Sequence, residues 1–466
     1  MSQTQPRAED AAKAPKASAR DRLAADGVLS PGSIWRNWSR SVAARPEAFA
    51  APRDEGELRQ VIAVAAEAGH RVRPVGAGHS FTPCAETSGI MVSLDAMSGL
   101  VRIDRERRLA TVRAGTRLRE LFRLLDAEGL ALENQGDIDR QSIAGAVSTG
   151  THGTGLGFTG LAAMVRGMRL VTADGESREL SADAHPEELE LARLSLGALG
   201  VVTELTLQCV EAFDLEARER TVPFDEAVGG FLERCAEVEH TEFYWFPHSS
   251  RAMLKENRRL RPDEASEARA RGRVGRWFDE ELVGNGAHRA ALELGRALPA
   301  MVKPINRLST QLMGGGSFRE PSHSVFVSPR RSRFTEMEYA VPLEAVPAVV
   351  RELRAEIERR GWPIEFPIEV RAAKADDVPL STAFERDSGY IAVHRFSGVR
   401  PNDYFREFQA IAREHGGRPH WGKLHTLDRE ELASEYRRLD VFCALRDRLD
   451  PERRFANGYL QRVLGA

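Results

Sequence analysis

Three short stretches carry residues whose types and spacing could do chemistry. The first, Arg73-Pro74-Val75-Gly76-Ala77-Gly78-His79-Ser80-Phe81, sets one histidine at the apex of a glycine-flanked turn. Glycines at 76 and 78 allow positive φ and close backbone approach, so successive N–H groups can converge on an anion such as a pyrophosphate. His79 would then face whatever the phosphates carry; a strand-ending turn with a solvated histidine fits this segment alone equally well. In the second stretch, Phe366 to Arg371, Glu369 and Arg371 stand two residues apart in a β-rich run and emerge on one face. A neighbouring Glu–Arg pair is usually a surface ion pair of little worth. Here Ile368 and Val370 make the opposite face apolar, which argues for a strand packed against something. Glu accepts from hydroxyls, and Arg offers a fork of donors to a carbonyl or hydroxyl. The third stretch is His420-Trp421-Gly422-Lys423, whose lysine is either a solvated charge or an amine that approaches a buried site past the tryptophan and glycine.

A further glycine pattern invites a wrong reading. Gly155-x-Gly157-x-x-Gly160 matches the dinucleotide fingerprint in spacing. That fingerprint needs an apolar strand before it and a helix after it. Polar Ser148-Thr149-Gly150-Thr151-His152 precedes it instead, and the next apolar strand starts within about ten residues, so a Rossmann site is rejected. The same run offers the Thr149, Thr151 and Thr154 hydroxyls on a backbone with little side-chain bulk. Such a surface suits a flat hydrogen-bonding ring or its ribityl-phosphate tail.

The elements that must position these residues follow from apolar periodicity. Asp54 caps a helix over 54–69 with Leu58, Val61, Ile62 and Ala65 as its stripe, and Gly69 ends it. Arg71 to Val75 reads as a strand entering the His79 turn, with further strands near 90–94, 100–103 and 109–112. A second helix opens at Thr116 and ends at Gly129. Residues 165–173 and 176–180 form a hairpin about Asp174-Gly175, and 201–210 alternate with period two. Helices and strands do not alternate strictly, so the class is α+β. After residue 212 the character changes to charge-rich stretches such as 258–276 beside Gly314-Gly315-Gly316, and a domain boundary falls there.

At 466 residues the chain is too long for one ordinary core. With 66 basic and 69 acidic residues the net charge is -3, so no overall field recruits nucleic acid. Cys84, Cys209, Cys235 and Cys443 are scattered without metal-binding spacing, so neither a disulfide framework nor a metal site is expected. No apolar run approaches the roughly 18 residues of a membrane span. Residues 1–33 read as a disordered extension without signal-peptide organisation, and a cytoplasmic protein is expected.

Taken in order, Gly76-Ala77-Gly78-His79-Ser80, Gly150-Thr151-His152-Gly153-Thr154-Gly155, Ser195-Leu196-Gly197-Ala198-Leu199-Gly200-Val201-Val202-Thr203 and His420-Trp421-Gly422-Lys423 resemble the aldonolactone oxidase and alditol oxidase branch of the vanillyl-alcohol-oxidase flavoprotein family. Phe366-Pro367-Ile368-Glu369-Val370-Arg371 and Gly417-Arg418-Pro419-His420-Trp421 match its gulonolactone and arabinonolactone members. The resemblance implies a two-subdomain FAD-binding domain (34–211), an inserted α+β cap domain (212–417) and a segment returning to the FAD domain (418–466). It implies that Val75, Gly76, Ala77, Gly78, His79, Ser80 and Phe81 hold the pyrophosphate, with a covalent link from His79 to the 8α-methyl of the flavin. Ser142, Gly145, Thr149, Gly150, Thr151, His152, Val202 and His420 match further cofactor-contacting positions. Glu369, Arg371 and Lys423 match the catalytic set facing a sugar-derived lactone or polyol. His394 matches a pocket position, and a core histidine reads nearly as well. Alditol oxidases carry a serine where Asp137 stands, which favours the lactone branch. Gly136 matches a cofactor-contacting position tied to access of oxygen, the expected acceptor beside an acceptor protein or dye.

Overall fold

Two main hydrophobic cores divide the chain, and each gathers residues far apart in sequence. The computed structural model describes residues 18–261, 268–270, 286, 288–312, 315–328, 332–399 and 402–466. Much of the charge-rich 258–276 stretch, and Gly314, lie outside them.

The first core opens with helix α1 (Ala19–Ala25) and strand β1 (Leu29–Pro31), followed by β2 (Ala48–Ala50), helix α2 (Glu55–Glu67), β3 (Val72–Val75) and β4 (Ile90–Ser93). These strands form a four-stranded sheet in the order β1-β2-β4-β3. The sequence placed residues 1–33 in a disordered extension, and from Ser18 onward this is corrected. Leu23, Val28 and Leu29 are buried, and β1 pairs with β2. Three apolar side chains in eleven charged and small residues suffice to dock the segment; residues 1–17 lie outside the described ones. Helix α2 starts where expected, with the Asp54 side chain accepting from the Glu57 N–H at 2.9 Å. Its stripe of Leu58, Val61, Ile62 and Ala65 is buried in the first core, and β3 runs directly into the Gly76 turn.

A five-stranded sheet completes this half: β5 (Leu100–Asp104), β6 (Leu109–Arg113), β7 (Val165–Val171), β8 (Ser177–Ser181) and β9 (Val201–Gln208), in the order β8-β7-β9-β6-β5. Helix α3 (Leu118–Ala127) begins two residues later than Thr116, whose hydroxyl is spent on the Arg113 carbonyl at 2.6 Å. The glycine-rich run holds a helix that periodicity did not reveal, α4 (Ile143–Ser148), capped by Ser142. After Gly160 comes one short 3-10 turn and then β7, leaving no room for a dinucleotide-binding helix.

The second core lies under one face of a nine-stranded sheet. Its strands are β10 (Asp214–Pro223), β11 (His240–Trp245), β12 (Arg251–Arg259), β13 (Arg269–Ala270), β14 (Gly316–Pro321), β15 (Phe334–Pro342), β16 (Ile368–Ala373), β17 (Ser388–Phe396) and β18 (Arg418–Pro419). Their order is β13-β14-β10-β12-β11-β16-β17-β15-β18. Phe243, Trp245, Leu254, Met337, Tyr339, Ile368, Val370, Ile391 and Val393 alternate inward against helices α5 (Val346–Arg360) and α6 (Tyr404–Glu414). Residues 418–419 still pair within this sheet. From there Trp421, Leu427, Leu432, Tyr436, Phe442 and Phe455 enter the first core, joined by Val378 and Leu380. Among the described residues no helix is long and apolar enough to cross a membrane.

Candidate active site

Strand β3 ends at Val75, and the chain turns at once through Gly76-Ala77-Gly78. Gly78 has φ +67°, the left-handed region that favours glycine. A Cβ on Gly76 would lie 2.3 Å from the Ser142 hydroxyl, so only a bare backbone fits against the start of α4. The turn lines a cleft with Ser142, Gly145, Thr149, Gly197, Gly200 and Val202. Few ionisable side chains reach this cleft. One is Arg73, fully buried and donating to the carbonyls of Leu196, Gly197, Cys84 and Phe455, which fastens three loops together.

A second cavity continues from the first, sharing His79, Ser80, Gln141 and Thr149 with it. Here the lining changes to charge. The His79 ring stacks on Trp38 with centroids 5.3 Å apart. Burial, aided by the Lys423 and Arg117 cations, pushes its pKa down to about 4, so the imidazole is neutral at physiological pH. Across from it stands the polar face of the nine-stranded sheet. Register puts Lys255 opposite Glu242, Tyr244 opposite Glu369, Glu369 opposite Ala392, and Glu336 opposite His394, so all share that face. Ala392, between the acidic side chains, adds almost no bulk and leaves the hollow open.

Two ion-pair clusters occupy this face. Arg371 pairs with Glu369, donates from Nε to Glu242 at 2.8 Å and lies 3.8 Å from Asp137. The Tyr244 hydroxyl donates toward Glu369 at 3.0 Å, and Lys255 Nζ is 3.4 Å from Glu242. Burial alone would lower the Arg371 pKa; Glu369 and Glu242 overcome it and raise it well above the usual range. Burial likewise works against the Glu242 carboxylate, but Arg371 and Lys255 hold its pKa below the ordinary value. In the other cluster Lys423 pairs with Glu336 and lies 3.7 Å from Glu338, while the His152 Nε2 meets Glu338 at 3.1 Å. The His394 Nε2 is 3.6 Å from Glu336.

This geometry can be set beside known proteins. Residues 205–463 match the family described as D-arabinono-1,4-lactone oxidase, and residues 46–181 match an FAD binding domain. The chain belongs to the D-arabinono-1,4-lactone oxidase family. An L-gulono-1,4-lactone dehydrogenase of Mycobacterium tuberculosis is 41% identical over 94% of this chain and 100% of its own length. The L-gulonolactone oxidase of Bos taurus is 33% identical over 93% and 98%. The fold is that of a cholesterol oxidase from B. sterolicum, at a TM-score of 0.79 and 18% identity, covering 94% of this chain and 97% of that one. Like other members of the family, the chain is an FAD-dependent oxidoreductase with an α+β architecture.

Within this family member, most residues singled out by sequence meet along one continuous cleft. Val75, Gly76, Ala77, Gly78, Ser142, Gly145 and Val202 line its first part, and His79, Ser80 and Thr149 its junction. Phe81, Gly136, Asp137, Thr151, His152, Glu369, Arg371, His394, His420 and Lys423 line the charged part. Gly150 lines neither; its carbonyl meets the His420 ring. Burial lowers the His420 pKa to about 3, so that ring is neutral. Its Nδ1 accepts from the Gly422 N–H at 3.0 Å. His152, Glu338 and His420 offer atoms within 4.8 Å of one another, but their ring nitrogens are already spent on Gly153, Glu338, Gly422 and Gly150. Sequence reasoning missed Trp38, Gln141, Glu242, Tyr244, Lys255, Glu336 and Glu338. A signal existed in Phe334-Thr335-Glu336-Met337-Glu338-Tyr339, where acidic residues alternate with apolar ones in a strand.

The cleft suits FAD on its own features. The Gly76 turn forms a cradle that a Cβ would fill, a nearly uncharged channel leads from it, and the channel opens beside a neutral histidine into a polar chamber.

Proposed function

We propose that the protein oxidises a CH–OH group of a sugar-derived aldono-1,4-lactone (gulono-, galactono- or arabinono-lactone), with FAD covalently attached through His79. The observation that carries this reading is the convergence of Glu369, Arg371 and Lys423 on the chamber that His79 also lines. Bound FAD supplies the acceptor for the hydride leaving the substrate carbon. Glu369 accepts a hydrogen bond from a substrate hydroxyl, and Arg371 donates to the ring carbonyl or a second hydroxyl. The Glu242 and Tyr244 contacts hold this pair in one orientation, as a near-attack geometry requires. Lys423 contributes a fixed positive charge where negative charge develops. Asp137 and His394 complete the substrate contacts. Neutral His79 has a ring lone pair, the form that could hold the flavin through its 8α-methyl carbon.

The alternative, oxidation of an open-chain polyol, is less well served. Asp137, 3.8 Å from Arg371, puts an acidic group where polyol-oxidising relatives of this type carry a serine. Electrons then leave to oxygen or to another acceptor. Gly136 adds no side chain beside the chamber and favours oxygen, while Asp137 next to it disfavours the superoxide anion that forms first.

An anaerobic panel of lactones and polyols, read by bleaching of the flavin band, tests the substrate class. Bleaching by an aldonolactone is expected; rapid bleaching by polyols alone overturns the reading. Covalent attachment is checked on denatured protein, which should keep its yellow fluorescence in wild type and lose it in His79→Ala. Wild-type protein that releases all its flavin into acid supernatant would have no such bond.

A further inference from the structure

Lys423 is held on both sides. Glu336 and Glu338 stand two residues apart on β15 and project from the same face, roughly 7 Å apart along the strand. Lys423 forms an ion pair with the first and lies 3.7 Å from the second. The backbone repeats this arrangement. His420 N–H donates to the Glu338 carbonyl at 3.0 Å and Leu424 N–H to the Glu336 carbonyl at 2.9 Å, so the loop bearing the lysine is stitched to the two residues that grip its side chain. Neither carboxylate is free to swing. His394 lies 3.6 Å behind Glu336, and the His152 Nε2 meets Glu338 at 3.1 Å. His394 Nδ1 meets the Pro367 carbonyl at 3.1 Å and His152 Nδ1 the Gly153 carbonyl at 2.9 Å, which fixes both rings from the far side. The result is one row across the chamber: His152, Glu338, Lys423, Glu336, His394.

Such an arrangement exceeds what an ordinary ion pair needs. A buried ammonium with one partner can rotate about it, and desolvation drives it toward the neutral amine. Two anchored carboxylates remove both freedoms. We propose that Glu336 and Glu338 are positioning residues for Lys423: they hold its ammonium at one point over the cofactor cleft and keep it charged throughout turnover. The proposal deepens the reading of Lys423 as the active-site cation and rests on it. The other groups that face Lys423 are Asp137 from the loop before α4, neutral His79 from the glycine turn, neutral His420 from its own loop, and the Phe81 ring at 5.4 Å. Asp137 adds to the clamp, and the two imidazoles do not oppose it. Burial alone would lower the Lys423 pKa, and the carboxylates raise it above the ordinary lysine value instead.

Two measurements on flavin-loaded enzyme test this, with Glu336→Gln and Glu338→Gln as near-isosteric variants. The first is acylation of Lys423 by acetic anhydride between pH 7 and 10, read by mass spectrometry of its peptide. The second is the pH profile of kcat on the lactone. In wild type, Lys423 should resist labelling and kcat should stay flat across that range. In Glu336→Gln the labelling midpoint should fall by about one pH unit or more, and kcat should decline at the same pH. Glu338→Gln should do the same to a smaller extent, and it carries the test alone if the first variant does not accumulate. A lower kcat with unchanged labelling and an unchanged profile reduces the glutamates to structural residues and overturns the proposal; so does no change at all. A wild-type enzyme that oxidises no lactone refutes the functional reading, while the labelling midpoint still decides the clamp.

Discussion

The two ends of the cleft are lined in opposite ways. Around Gly76 the surface is backbone and small hydroxyls, with no room for a Cβ at position 76. On the face of the nine-stranded sheet it is long charged side chains locked into pairs. A cofactor that stays put is served by close backbone approach, which costs no side-chain entropy. A substrate that must be turned over needs charges already oriented before it arrives. The two regions should therefore fail differently.

The largest contrast is between Gly76→Val and Arg371→Met. The valine would push against the Ser142 hydroxyl, so the variant should lose its flavin and all activity, seen as colourless purified protein. Arg371→Met should keep its flavin and lose turnover by roughly 10² or more, with Glu369→Gln close behind. A colourless Arg371→Met would erase the distinction between the two regions. Gly136 lines the charged part beside Asp137, and its effect is smaller and selective. A Cβ there comes within 3.0 Å of the His152 carbonyl and 3.2 Å of the Thr151 methyl. Gly136→Val should suppress hydrogen peroxide formation while sparing reduction of an artificial dye. Equal loss with both acceptors would mean that the valine distorts the His152 loop and does not screen oxygen.

The smallest effect is on stability. His240 has a pKa near 4, and His420 and His425 near 3, all lowered chiefly by burial. Unfolded, each takes up a proton near its reference value of about 6.5. The unfolded chain therefore binds more protons between about pH 6.5 and 4, and stability falls as pH falls through that window. Asp376, raised to about 6 by burial, works in the opposite sense and offsets part of this. The melting temperature should drop steadily from pH 7 to 5, and His240→Gln should flatten the slope. A melting temperature that rises on acidification would contradict the burial of these rings.

The contrast also explains what could be read from the sequence. The glycine turn was legible because its residues are contiguous, and the rejected fingerprint at 155–160 was legible from its polar context. Glu369 and Arg371 were visible because they share one strand. Glu242, Lys255, Glu336 and Glu338 meet them only through pairing of strands that are up to about 130 residues apart, as between Glu242 and Arg371. Nothing local marks Lys255 as a partner of Glu242. The docking of residues 18–31 was missed for a related reason. Its three apolar side chains are too few to form a periodic stripe, yet enough to pack once α2 and β2 provide a surface.

Arg73 has a consequence for how the enzyme is made. It sits three residues before Gly76, where the turn begins, yet one of its partners, the Phe455 carbonyl, is 382 residues further along the chain. The Val72 N–H donates to the Arg454 carbonyl at 2.8 Å, and the Asn457 amide donates to the carbonyls of Pro83, Cys84 and Glu86. While the ribosome is still elongating the chain, the strands around the turn can form, but their fastenings do not yet exist. The frame of the turn is thereby completed only after residues 454–457 have emerged, and a prematurely terminated chain would leave the ribosome with that turn unfastened.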